Sequence, residues 1–284
     1  MSLKLEIMKN LSIIPDSVFN KIFFYYKNKY WPNFKNPKSF NEKINHIKLY
    51  SNNSLRKLVA DRIKVREYVK EKAPECDLIN ILWSGETFTQ KDYDNLPQRF
   101  VIKANHGSGM VLVINKEKDD FDTIYQETEK WKKLDYGKIT RQFVYEDLPK
   151  TIIVEEFINF DSKVVPDYKF MCINGKIEFI QVDLDRFEDH SRNLYDGNFN
   201  RISGMLEYKQ GEDLEKPKLF EEAKIIAKKL SEDFDFLRVD LYILGDIIYF
   251  GELTNTSGNG YDRFYPKELD YKYGFKIKFE KEFL

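Results

Sequence analysis

Phe100 to Met110, FVIKANHGSGM, is a short apolar strand that delivers a lysine and then opens into a glycine-bearing turn. Arg99 to Ala104 (RFVIKA) and Val111 to Ile114 (VLVI) flank that turn, so the segment reads as strand, loop, strand. Lys103 stands at a strand end, and the glycines of His106-Gly107-Ser108-Gly109 let backbone amides close around an anion. A lysine beside such a loop neutralises phosphate charge at short range. The stretch is not a P-loop, because GxxxxGK[ST] is absent and the lysine precedes the glycines. Taken alone, a hairpin turn with a surface lysine is the plainer reading.

Outward from this hairpin the pattern changes on both sides. Upstream the chain reads as helical. Ile14, Val18 and Ile22 recur every four positions around Pro15 and the candidate N-cap Asp16, and Ser39 with Glu42 forms a capping-box pattern. A third helix is expected over about 54–72, with Leu58, Ile63, Val65 and Val69 on its buried face. Downstream, residues 119–133 look helical and 141–147 continue that layer. Strands follow at 151–158, 167–173 and 176–182, the last two joined by Asn174-Gly175, a strong two-residue hairpin signal. A helix begins at Pro217, and two further strands, 237–243 and 247–253, turn near Gly245. Helices followed by hairpin-rich sheets, with one long helix before the final hairpin, predict an α+β fold rather than a doubly wound parallel sheet.

Composition sets the outer bounds. With 284 residues, 42% hydrophobic and 33% charged, the chain is neither disordered, collagenous nor coiled coil. Its net charge of -1 conceals a split: residues 21–72 carry 14 basic side chains against four acidic ones, leaving 32 basic and 43 acidic elsewhere. The longest apolar runs are far too short to span a bilayer, and MSLKLEIMKN lacks an apolar signal core. Cys76 and Cys172 are far apart without metal-site spacing, which predicts free thiols in a cytoplasmic, soluble protein. A pI of about 6.4 and the absence of an RNP or helix-turn-helix signature argue against nucleic acid. Ile22, Phe23, Phe24, Tyr25 and Tyr26 beside Lys21, Lys27 and Lys29 leave peripheral contact with the inner membrane face open, although core packing is the expected fate of those aromatics.

Two other constellations carry carboxylates. In IIVEEFI (152–158), alternation sends Glu155 and Glu156 to opposite faces, and the one turned inward needs a partner. In the last hairpin, Asp240 and Glu252 lie on facing arms. Like charges directly opposed are destabilising, and a divalent cation resolves the conflict. A third segment, Asp183 to Asp196 (DLDRFEDHSRNLYD), reads as neither strand nor regular helix, yet holds Arg186, His190 and Arg192 close together. An arginine there can bind an acceptor carboxylate bidentately, or the segment is a solvated loop.

In this order, a lysine strand with a glycine loop, an apolar strand bearing a glutamate, and Asp then Glu-x-Thr on a late hairpin resemble the ATP-grasp enzymes. NPKSFNEKINHIKLY (36–50), ADRIKVREYV (60–69), VPDYKFMCINGK (165–176) and GELTNTSGNG (251–260) are more specifically similar to the TupA-like branch of bacterial surface-polysaccharide clusters. The resemblance implies two α+β subdomains clasping ATP, at 78–158 and 159–284, behind a helical, basic region at 1–77. It implies that Lys103 contacts nucleotide phosphates under the loop His106, Gly107, Ser108 and Gly109. Glu155 accepts from the adenine amino group, with Glu156 beside it and the backbone of Ile158 as hinge. Asp161 or Asp167 meets the ribose, and Lys169 belongs to the nucleotide set. Asp240 and Glu252 hold Mg2+. Two departures matter: the early Asp-Lys pair is Asp61-Arg62, so Arg62 or Lys64 supplies the first phosphate cation, and Glu-x-Asn is Glu252-Leu253-Thr254, with Asn255 one place later. Strand alternation puts Thr254 on Glu252's face, so Asn255 ligates only if the strand ends or bulges there.

What the resemblance implies functionally is an ATP- and Mg2+-dependent carboxylate-amine ligase. Its partners would be a sugar acid of a surface polysaccharide and an amino acid or other small amine, with Arg192 or Arg186 on the acceptor carboxylate and Lys103 on the phosphates during catalysis. A sugar kinase using the same phosphate clamp and a non-catalytic carbohydrate-binding module are the alternatives.

Overall fold

Phe100, Ile102 and Ala104 are fully buried while Val101 and Lys103 face the other way, the alternation a half-buried strand requires. In the computed structural model, which describes residue 11 and residues 13–158, 166–184 and 190–281, this strand belongs to the smaller of two main sheets. The chain opens with helices α1 (Asp16–Asn28), α2 (Phe40–Tyr50), α3 (Ser54–Ala60) and α4 (Val65–Lys72). Strands β1 (Asp77–Leu78) and β2 (Ile81–Gly85), helix α5 (Gln90–Asn95), the hairpin β3 (Arg99–Ala104) and β4 (Val111–Asn115), helices α6 (Phe121–Lys132) and α7 (Tyr136–Thr140), and β5 (Ile152–Glu156) follow. Then come β6 (Asp167–Ile173), β7 (Lys176–Leu184), β8 (Ser191–Tyr195), β9 (Met205–Leu206), α8 (Phe220–Ser231), β10 (Phe236–Leu244), β11 (Ile247–Thr254), β12 (Phe264–Tyr265) and α9 (Glu268–Gly274). The four-stranded sheet runs β2-β5-β3-β4 and the six-stranded one β1-β11-β10-β6-β7-β8, antiparallel except where β1 joins β11. The architecture is the α+β one expected.

The N-terminal helices share one small cluster, Phe24 and Phe34 with Tyr261, and otherwise pack on the two sheets. Phe19 of α1 joins the cluster behind the four-stranded sheet, with Phe100, Ile102, Val154 and Trp131. Residues Val65, Tyr68 and Val69 of α4 pack with α8 against one face of the six-stranded sheet, while Phe40, Ile44 and Ile47 of α2 cover one end of the other face with α9. Polar anchors fix this wrapping. Ser39 caps α2 as its sequence predicts, and the buried Glu42 also accepts from the amides of Asn33 and Lys38, both at 2.8 Å.

Local structure departs from expectation where tertiary contacts override periodicity. Pro15 holds the N-cap position of helix α1 without a side-chain cap bond, Asp16 is the first helical residue, and Val18 and Ile22 face outward; Phe19 and Phe24, which bury more apolar surface, turn inward instead. The single helix expected over 54–72 is two. Asp61 Oδ1 accepts from the amides of Ile63 (2.9 Å) and Lys64 (3.1 Å), a local turn that competes with the helical ladder. The helix after Pro217 starts at Phe220, and 141–147 holds only a 3-10 turn at Phe143–Tyr145. Strand replaces the expected irregular segment at the described residues of 183–196: Asp183 and Leu184 end β7, and Ser191–Tyr195 is a wholly buried strand registered Arg192 to Asp183. Cys76 and Cys172 are free and buried, and burial pushes both thiols up to about 12. No helix among the described residues is long and apolar enough to cross a membrane.

Candidate active site

On the same face of the six-stranded sheet as Phe236, a largely buried charged row runs across the strands. Asp240 of β10 is the direct cross-strand partner of Glu252 on β11 and of Lys169 on β6, so the carboxylates predicted to oppose each other do so. A bulge follows Asp240, where Gly251 passes close to the sheet: a Cβ there would lie 2.9 Å from the carbonyl oxygen of Asp240. Protein cations answer the repulsion. Arg238 donates to both oxygens of Asp240, each at 2.7 Å, and approaches Glu252 at 3.8 Å; Lys169 lies 3.4 Å from Asp240, and Arg62 lies 3.3 Å from Glu252. Burial pushes Glu252 up, but Arg62 and Arg238 outweigh it and hold the carboxyl at about 2. Burial raises Asp240 against the pull of Arg238 and Lys169.

Thr254 shares Glu252's face and donates to it at 2.6 Å. Asn255 does not reach the row. Its Oδ1 accepts from Arg56 Nη1 and its Nδ2 donates to the Arg56 carbonyl, both at 3.0 Å, which locks the end of β11 to α3. Its amide is buried and engaged at both ends, turned away from the carboxylates it was expected to join. Asp240 and Glu252 with the Thr254 hydroxyl form a hard-oxygen set that suits Mg2+, which commonly binds through one or two carboxylates and completes its shell with water and phosphate oxygens. The donor set fits that ion.

Lys103 and Glu155 project from neighbouring strands of the other sheet and pair at 2.5 Å, and Arg66 also faces Glu155. Glu156 points away, exposed, accepting from Asn80 at 2.9 Å. Val111 and Val113 remain exposed on the Lys103 face, forming an apolar shelf beside the ion pair. Ile158 is half-buried at the end of the described segment after β5, while Asp161 and Arg186 lie outside the described residues.

In the glycine loop, the amide of Ala104 donates to the Met110 carbonyl at 3.1 Å and closes the base. The His106 ring is buried, its Nε2 donates to the Trp131 carbonyl at 2.8 Å, and burial lowers its pKa. Gly107 packs on Tyr136, where a Cβ would lie 2.7 Å from the ring's Cγ; Ser108 hydrogen-bonds the Tyr136 side chain, and Gly109 has φ 76.

Arg62 ties the two sheets together. Its amide donates to Asn105 Oδ1 (2.7 Å) at the loop's root, its guanidinium reaches Glu252, and Glu155 adds to the negative field around it. Lys64, the alternative first cation, is exposed at the start of α4. At the far edge of the row, Lys169 pairs with Asp167 and lies 3.9 Å from Asp183, which accepts from Arg192 at 2.6 Å; Arg192 and Lys169 hold Asp183 well below its ordinary value despite burial. His190 approaches Asp183 at 3.3 Å, so it is tied into the same network. Arg238, Arg66, Tyr136 and Tyr145 were missed from the sequence. Arg238 stands two residues before Asp240 on one strand, and that spacing was its only signal.

Part of the basic N-terminal segment is structural. Lys48 donates to Asn259 twice, at 3.0 and 2.9 Å, and Arg56 is fully buried.

A comparison with curated protein sequences finds no match. Among solved structures, the chain is similar to D-alanine–D-alanine ligase from Bacillus anthracis complexed with ATP, at 14% identity and a TM-score of 0.42 over 70% of this chain and 54% of that one. It is similar to the ATP-grasp ligase PsnB at 8% identity and a TM-score of 0.43, over 72% of this chain and 54% of that one. For N5-carboxyaminoimidazole synthase from Aspergillus clavatus the values are 11% and 0.44, over 72% of this chain and 46% of that one. The chain spans about half the length of these proteins. The model of the TupA-like ATP-grasp family matches residues 42–278, from the capping glutamate of α2 past the end of α9 and through both sheets and the charged row between, and the chain belongs to that family.

Proposed function

We propose that the protein is an ATP-dependent carboxylate-amine ligase acting on a sugar acid, such as a uronic acid of a bacterial surface polysaccharide, with an amino acid or other small amine as the second substrate. The observation that carries this reading is the direct register of Asp240 with Glu252, joined through Arg62 to the root of the Lys103 loop. In this reading, Lys103, Arg62 and Lys169 bind nucleotide phosphates, and the backbone of Gly107 to Gly109 closes over them. Glu155 and the Ile158 backbone hold the adenine edge, with the valine shelf against its face. Asp167 meets the ribose, Asp161 being the other candidate. Asp240, Glu252 and Thr254 hold Mg2+, which when bound neutralises phosphate charge. Arg192 and Arg186 orient the acceptor carboxylate.

The reaction transfers the γ-phosphoryl group to a carboxylate oxygen, breaking its bond to the ADP oxygen. The amine nitrogen then attacks the acyl carbon, the carbon-to-phosphate oxygen bond breaks, phosphate leaves and the amine loses a proton. The protein's part is positioning and charge neutralisation.

The test is incubation with ATP, Mg2+ and a matrix of uronic acids and amines, following phosphate release and product mass. ADP formation only in particular acid-amine pairs supports the ligase. A stable phosphorylated sugar formed without amine would make the protein a kinase, and absence of magnesium-dependent nucleotide binding would leave a carbohydrate-binding module. Lys103→Ala and Glu252→Ala should each abolish turnover with the near-ultraviolet circular dichroism unchanged.

A further inference from the structure

Helix α1 buries Phe19, Asn20, Phe24 and Asn28 and so leaves a second stripe outside. Val18, Ile22, Tyr25 and Tyr26 lie at i, i+4, i+7 and i+8, one helical face, and all four are exposed, Ile22 at 50% and Tyr26 at 67%. Trp31, 64% exposed, stacks on Tyr25 with ring centroids 4.7 Å apart and extends the stripe past the helix end. The platform is rigid: Arg141 donates to the carbonyls of Leu11 (2.9 Å) and Ile14 (3.3 Å), and Asn28 donates to that of Tyr261 at 3.4 Å.

Charge selects the occupant. Every ionisable acid or base other than tyrosine between residues 17 and 41 is a lysine, and Lys21, Lys29, Lys35 and Lys38 are exposed. Lys29 sits over the Tyr26 ring at 4.9 Å, and Asp16 at the helix start is engaged by Arg141 at 3.3 Å. A second copy docked on the same face by two-fold symmetry would bring lysines against lysines. A saccharide would find aromatic faces but aliphatic Val18 and Ile22 beside them, with no carboxylate or amide on the stripe for its hydroxyls. Aromatic rings with a polar edge, aliphatic side chains and flanking lysines match a lipid headgroup boundary of negative charge.

We propose that this stripe docks the protein on a membrane surface bearing anionic lipid. The inference is independent of the ligase reading. Vesicle flotation tests it with the full chain, using phosphatidylcholine alone and an equimolar mixture with phosphatidylglycerol. Co-flotation should occur with the anionic vesicles only and weaken as salt rises. At about fivefold per lysine at low salt, Lys21→Glu with Lys29→Glu should lower partitioning by at least about 25-fold. Tyr26→Ser with Trp31→Ser should also abolish co-flotation, both variants melting at the wild-type temperature. No co-flotation, or binding that neither variant changes, overturns the proposal. So does a dimer that the aromatic variant dissolves while vesicles have no effect, or binding to an anionic polysaccharide with none to lipid.

Discussion

Arg238 is the residue on which the charged row depends, and Arg238→Met isolates its contribution because methionine keeps much of the stem's volume without the guanidinium. Asp240 would lose two hydrogen bonds of 2.7 Å, and Glu252 a cation at 3.8 Å. Lys169 at 3.4 Å and Arg62 at 3.3 Å would remain. Removing one partner of a buried ion pair costs about 3–5 kcal/mol, and the remaining cations favour the lower end, about 3 kcal/mol. The assay is urea unfolding, with and without magnesium. Magnesium should recover more stability in the variant than in the wild type, since a divalent ion binding only the native state stabilises it and no longer competes with Arg238. In an Asp240→Asn background the same substitution should cost less than about 1 kcal/mol, because no buried charge is orphaned. An equal loss in both backgrounds, or no loss in the wild-type one, would refute the reasoning.

Asn255→Ala should cost about 1–3 kcal/mol by removing one acceptor of the buried Arg56 and the bond back to its carbonyl, while leaving magnesium-dependent nucleotide binding by calorimetry unchanged; weaker binding at unchanged stability would make Asn255 a ligand. Gly107→Ala, whose Cβ would press on Met110 and Tyr136, should cost about 1–3 kcal/mol in thermal unfolding, recovered in part by Tyr136→Ala; a neutral substitution would contradict the packing. Burial raises Asp270 from 3.8 to about 6, against hydrogen bonds from Asn41, Ser39 and Tyr30. The native state then binds more protons than the unfolded one between these values, so this group's contribution to stability falls as pH rises through that window and is lowest above it. Asp270→Asn should remove that dependence and gain up to about 3 kcal/mol at neutral pH; an unchanged pH profile would count against it.

The features legible in the sequence are those whose cause is short-range. Ser39 and Glu42 cap a helix because three residues separate them, and Asn174-Gly175 turns a hairpin because both residues adopt positive φ, 45 and 76. The hairpin carrying Asp240 and Glu252 turns near Gly245, at φ 53, but that turn alone would set Asp240 opposite Gly251; the bulge after Asp240 brings Glu252 there. The buried face of α1, the break at Asp61 and the strand inside 183–196 were not legible. In each, periodicity was ambiguous and the deciding partner is distant in the chain or is a side-chain hydrogen bond that competes with the helix.

For this protein the sequence by itself determined the α+β class, the strand that carries Lys103, the hairpin with a carboxylate on each arm, and through its motifs the family, while the bulge that sets Asp240 opposite Glu252 came with the fold. Only the tertiary structure decided what those charges face: Arg62 bridging to Glu252 across 190 residues, Arg238 lying between the carboxylates, Asn255 turned to Arg56, and His106 buried against Trp131. The reason is physical. Strand and turn formation follow from a residue and its near neighbours, whereas the fate of a charge or a buried amide depends on whichever partner the packed chain brings within hydrogen-bond range.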